Sequence, residues 1–101
     1  MRKSKTKAQH EEDRRTILQV LNEAEFHPLT PKQIQRDLDK LLCPVSLEGI
    51  YYHLHYMAPS GWIEIEEKAI SGEHPDILWA KITPAGVEEL DHWDDRHKAG
   101  A

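Results

Sequence analysis

Residues 45–65, VSLEGIYYHLHYMAPSGWIEI, constrain this chain more than any other stretch. Ser46 can cap a helix, because its hydroxyl accepts a bond from a first-turn N–H that has no partner inside the helix. Leu47, Ile50, Leu54 and Met57 then recur at spacings of three and four, the stripe of a helix that buries one face. Ala58-Pro59-Ser60-Gly61 ends that helix: proline pushes the residue before it away from helical geometry, and glycine supplies the turn. Trp62, Ile63 and Ile65, with glutamates between them, open an alternating strand. A capped helix must therefore feed directly into a β-hairpin.

The flanking sequence fits around this unit. Residues 9–25 predict a first helix, with Ile17, Leu18, Leu21 and Ala24 on one face, Val20 beside them, and Glu11, Glu12 and Asp13 suited to the positive end of its dipole. Phe26-His27-Pro28 ends it, and Leu29 is placed to make a short bridge to the later hairpin. Thr30-Pro31-Lys32-Gln33 opens a second helix over residues 31–42: Thr30 caps, Pro31 takes the first helical position and Gln33 completes a capping box. Ile34, Leu38, Leu41 and Leu42 are its expected buried stripe. Cys43-Pro44-Val45 is a tight turn into the helix of residues 46–58, so the two helices make a helix-turn-helix. Strands are expected at 62–68 and 77–82, joined through a loop dense in turn formers. Thr83-Pro84 repeats the cap-then-proline start for a last helix over 84–97, with Val87, Leu90 and Trp93 or Asp94 on its inner side. The expected fold is mainly α with a small antiparallel hairpin, a winged helix-turn-helix carrying an additional C-terminal helix. Residues 9–97 form the domain, between a flexible basic arm at 1–8 and a frayed tail at 98–101.

Composition sets limits on function. The chain has 101 residues, enough for one modest core. No apolar run reaches the roughly 18 residues of a membrane span, and no apolar segment follows the basic start, so neither a membrane anchor nor a secretory leader is expected. A single cysteine, Cys43, suits a reducing cytoplasm. Charge is the awkward term. Arg2, Lys3, Lys5 and Lys7 put four positive charges on the first seven residues of a chain with net charge −5, so the remainder carries −9. A polyanion-binding domain usually shows a basic footprint, and here only the arm supplies one.

The phrases SLEGIYYHLHYMAPSGWIEI and WAKITPAGVEEL resemble the winged-helix transcriptional regulators of the PadR, MarR and ArsR type. The residues that carry the resemblance are Ser46, Tyr51, Tyr52, His53, Leu54, Gly61, Trp62, Ile63, Thr83, Pro84 and Gly86. The opening RRTILQVLNEA is also similar, more weakly, to small winged-helix proteins of Mu-like prophages. The resemblance implies a homodimeric regulator of double-stranded DNA that dimerises through its terminal helices. One departure stands out: the helix of residues 46–58 contains neither Arg nor Lys, and the wing offers Lys68 against Glu64, Glu66, Glu67, Glu73 and Asp76.

A helical wheel places Glu48, Gly49, Tyr52, His53, His55 and Tyr56 outward. Tyrosine and histidine can donate to phosphates or base edges, glutamate can accept from cytosine, and glycine permits close approach. With the capping Ser46, Lys68 and His74 in the wing, Lys32, and Arg2, Lys3, Lys5 and Lys7 in the arm, these are the candidate DNA contacts. Residues 46–56 are expected in the major groove and residues 68–76 at its flank. The alternative is a winged helix that binds a protein through Tyr52 and Tyr56 and has dropped DNA. Ile17, Leu21, Leu90 and Trp93 are the candidate dimer contacts, the alternative being that Trp93 folds back over the first helix within one chain.

No catalytic arrangement emerges. Cys43 has no basic neighbour in sequence, and there is no phosphate-binding glycine loop. A non-enzyme without cofactor is expected. No metal is expected either: His53 and His55, two apart on a helix, point away from each other, and Glu88–His92 and Asp94–His97 read as solvated faces.

Overall fold

The structure is a computed structural model and describes residues 6–68 and 76–99, with side chains through Trp93. Four helices and one hairpin follow in the order α1 (Lys7–Glu23), α2 (Pro31–Lys40), α3 (Leu47–Met57), β1 (Ile63–Lys68), β2 (Asp76–Ile82) and α4 (Pro84–Ala99). This is the expected winged helix-turn-helix with its added C-terminal helix.

Local chemistry sets each boundary. α1 begins at Lys7, two residues ahead of the expected start, because Thr6 and Gln9 form a capping box of the same kind as Thr30 and Gln33. As a result Glu11, Glu12 and Asp13 lie beyond the first turn, and the dipole argument made for them does not apply. α2 ends at Lys40 in a pair of bonds, Leu42 N–H to Asp39 O at 3.1 Å and Cys43 N–H to Leu38 O at 3.0 Å, with Leu42 at φ 58°. That is a Schellman ending with leucine in the left-handed position usually held by glycine. It turns Leu41 and Leu42 out of the stripe expected to bury them: they are 52% and 89% exposed. The Ser46 hydroxyl accepts from Gly49 N–H at 3.0 Å, and a short 3₁₀ turn (Ala58–Ser60) closes α3 before Gly61 at φ 82°.

β1 and β2 pair antiparallel from Ile63↔Ile82 to Lys68↔Asp76, with an irregularity at Glu66/Glu67. Leu29 adds the anticipated bridge, exchanging two 2.9 Å backbone bonds with Ala80. Thr83 fastens the base of the hairpin: its hydroxyl donates to Gly61 O at 2.6 Å and accepts from Gly86 N–H at 3.1 Å. Gly86 lies against the Trp62 carbonyl, where a Cβ would collide.

One core joins these elements, from Ile17, Leu18, Val20 and Leu21 of α1 through Ile34, Leu38, Ile50, Leu54 and Met57 to Ile63, Ala80, Ile82 and Leu90. Ile17 and Leu21 are wholly buried and Leu90 is 6% exposed, so these three candidate dimer contacts are spent on the chain's own interior. A fully packed side chain has no area left to offer a second copy. Trp93 is half-buried and shares the lining of a cavity of about 160 Å³ with Arg14, Arg15 and Leu18 of α1, as in the single-chain alternative. No helix among the described residues is long and apolar enough to cross a membrane.

Candidate nucleic-acid interface

The outward face of α3 is bounded on two sides. Glu48, Tyr52, His55 and Tyr56 are exposed on it, Tyr52 and Tyr56 by 54% and 52%. On one flank runs the first half of α1, where the His10 ring lies 5.8 Å from that of Tyr52. On the other lies the hairpin, where Glu67 Oε2 is 3.8 Å from His55 Nδ1. Gly49 is half-buried, and its Cβ position is already crowded by Val45 and Ser46. It packs the turn against the helix and gives little free surface. Ser46 keeps its hydroxyl on the cap, so its oxygen is engaged before any ligand arrives.

His53 does not belong to this face. It is 1% exposed, with Nε2 3.8 Å from Asp13 Oδ2 and Nδ1 3.5 Å from Arg14 Nη1. The reason is spacing: His53 stands three residues after Ile50 and four before Met57, which sets it beside the buried stripe, on the side that α1 covers. On the wheel it lies at the margin of the stripe, about 60° from Ile50, and α1 closes over that margin.

Sequence reasoning also missed a cation at the outward face of α3. Arg14 comes from α1 and lays its guanidinium over the Tyr56 ring, 4.0 Å from the centroid. Arg14 stands three residues before Ile17 and four before Leu18, in line with the α1 stripe, and only the packing of α1 against α3 shows what it meets. Lys32 is exposed at the start of α2, Lys7 at the start of α1 and Lys68 at the end of β1. Lys81 of β2 is turned towards Glu64, 3.7 Å away. Arg2, Lys3, Lys5, the wing tip and His74 lie outside the described residues. Thr6, the first described residue, caps α1 about one helical turn before His10. Glu88 and His92 are both exposed on α4, while the side chains of Asp94 and His97 lie outside the described residues.

The fold that sets α3 between a hairpin and a neighbouring helix matches solved structures of regulators. The fold is that of the PadR-like regulators. A transcriptional regulator from Clostridium thermocellum superposes with TM-score 0.70 at 14% identity, over 97% of this chain and 91% of the other. A PadR-like transcriptional regulator from Bacillus cereus gives 0.61 at 24% identity, over 82% and 78% of the two chains. PadR from Bacillus subtilis, solved in complex with operator DNA, gives 0.60 at 19% identity, over 79% of this chain and 45% of its own. No family model and no curated protein matches the sequence.

Proposed function

We propose that the chain is a DNA-binding transcriptional regulator that reads double-stranded DNA through the exposed face of α3. The observation that carries the reading is Arg14 on Tyr56: it brings a positive charge to a helix that has no Arg or Lys of its own. In this reading α3 enters the major groove with Glu48, Tyr52, His55 and Tyr56 towards the bases. Lys7, Lys32, Lys68 and Arg14 meet phosphates, as do Arg2, Lys3 and Lys5 in the arm and His74 in the wing. Phosphate contacts give grip and register, and base contacts give sequence preference. Support comes from the shared fold with PadR of Bacillus subtilis, which is solved on operator DNA.

Assembly into a homodimer belongs to the same proposal, since two copies would present two α3 helices to a symmetric site. The chemistry of such a regulator is binding alone, in the cytoplasm where DNA is found, with no reaction to catalyse. The rival protein-binding module draws on the exposed Glu64, Glu66 and Glu67 of β1 and on the two tyrosines. A uniformly negative α3 face would favour it, and Arg14 counts against that.

Fluorescence titration of DNA from upstream of the chain's own gene, beside random duplex, tests the reading. Saturable binding at low salt, tighter for the upstream fragment and weakening as salt rises, is the expected result. Absence of binding to either duplex at low salt would overturn it.

A further inference from the structure

The buried contact between α1 and α3 contains a second arrangement with its own chemistry. His10 and Asp13 stand three residues apart on one face of α1, and His53 of α3 packs against both. One donor atom from each of the three residues lies within 4.8 Å of the other two. Asp13 is 7% and His53 1% exposed, and the two imidazole rings meet edge to face with centroids 5.5 Å apart. His10 Nδ1 is buried and, among the described residues, has no hydrogen-bond partner. A buried polar atom left without a partner is costly, so it marks a place where something is expected to bind.

We propose that His10, Asp13 and His53 form a site for one divalent transition-metal ion of the zinc class, bridging α1 and α3. Two imidazole nitrogens and one carboxylate oxygen suit a borderline-soft cation, whereas calcium and magnesium favour sites built from oxygen. Zinc bonds of about 2.0–2.2 Å in a tetrahedron put donor atoms roughly 3.4 Å apart. One donor pair, His53 Nε2 and Asp13 Oδ2, is already at 3.8 Å. The remaining donor atoms, within 4.8 Å of one another, have to draw closer by about 1 Å to bind one ion.

Three protein ligands leave a fourth position for water or an incoming group. His10 and His53 also line an open groove with Ser46, Glu48, Gly49 and Tyr52, through which that position is reached. An ion on Nε2 leaves the proton on Nδ1, so Arg14 has to turn away from His53 as the ion binds. Arg14 Nη1 approaches His53 on the other ring nitrogen, Nδ1, at 3.5 Å, a long contact that weakens easily. Its guanidinium is held on Tyr56 independently. A bound ion ties the first half of α1 to the middle of α3 and thereby fixes the helix whose exposed face carries Tyr52 and Tyr56. This departs from the expectation of no metal, which considered only pairs within one helix; here the ligands come from two.

The test uses the full chain, stripped with a chelator and titrated with zinc alone by calorimetry, without DNA. One saturating equivalent per chain and a raised melting midpoint are expected, with visible ligand-field bands when cobalt replaces zinc. His10→Ala removes a half-buried ligand near the start of α1 and should weaken binding about tenfold or more, while circular dichroism reports an intact fold. His27→Ala, in an exposed loop, should change nothing. No saturable binding overturns the site, as does full affinity in His10→Ala. So does binding that disappears with His92→Ala and survives His10→Ala.

Discussion

Arg14 and Tyr56 are forty-two positions apart in the chain, yet the guanidinium of one sits 4.0 Å above the ring of the other. A planar cation over an aromatic face is held by the ring quadrupole, worth about 0.5–1 kcal/mol where water has access. The pairing settles the rotamer of a long side chain and keeps its charge at the edge of α3. It also explains how a helix without Arg or Lys can lie in an electrically useful setting.

The first prediction follows directly. Arg14→Gln should weaken DNA binding several-fold and lower the slope of log affinity against log salt by about 0.9, the value for one lost phosphate contact. Arg14→Lys keeps the charge without the planar stack and should fall between the two. Fluorescence anisotropy across a salt series measures both. An unchanged slope in Arg14→Gln would place Arg14 outside the phosphate contacts.

A second prediction separates the arm from the helix it leads into. Removing residues 1–5 takes away Arg2, Lys3 and Lys5 but leaves Thr6 and Gln9 to cap α1. Binding to every duplex should weaken, and the salt slope should fall by up to roughly 3. Thermal stability should stay constant. Removing residues 1–7 also destroys the capping box, which should lower stability by about 1 kcal/mol in addition. Melting curves and salt titrations on the two truncations distinguish these effects.

Most of the fold was legible because its signals are local. Thr30-Pro31-Lys32-Gln33, Ser46, Gly61 and Thr83-Pro84 each carry a cap or turn whose chemistry needs only its immediate neighbours, and even the Leu29 bridge could be anticipated. Thr6 and Gln9 carried the same signal as Thr30 and Gln33 and were passed over inside a segment read by its charge. What was not legible depends on which helix covers which flank. Leu41 and Leu42 continue the α2 stripe on paper, but the Schellman ending stops the helix first. His53 needed the position of α1 to be recognised as buried, and so did the meeting of Arg14 with Tyr56. The outward face of α3 was thus read with an incomplete set of neighbouring charges.

A third prediction concerns the joint between wing and last helix. Gly86 sits where a Cβ would strike the Trp62 carbonyl and the Ile82 side chain, so Gly86→Ala forces the backbone of α4 away from the hairpin. Overpacking of this kind costs about 1–3 kcal/mol, and here it falls on backbone that cannot rotate aside. Thr83→Val removes both bonds of the hydroxyl, the 2.6 Å one to Gly61 O and the 3.1 Å one from Gly86 N–H. A loss of about 1–3 kcal/mol is expected. Urea denaturation of the two variants checks this, and wild-type stability in Gly86→Ala would contradict the close approach.

The last prediction runs in the opposite direction. Leu42 is held at φ 58° and is 89% exposed, so it carries the cost of a left-handed leucine without the benefit of burial. That cost is about 1–2 kcal/mol, partly offset in a glycine variant by the greater freedom of glycine in the unfolded chain. Leu42→Gly should therefore stabilise the monomer by about 0.5–1 kcal/mol, raising the melting midpoint by a few degrees. The sign changes if Leu42 is covered in a homodimer, because the variant then loses an apolar contact between copies. Calorimetry over a range of protein concentrations separates the cases. A higher midpoint at every concentration assigns Leu42 to strain in the single chain. A lower midpoint that deepens with concentration assigns Leu41 and Leu42 to the dimer contact that the buried Ile17, Leu21 and Leu90 cannot make.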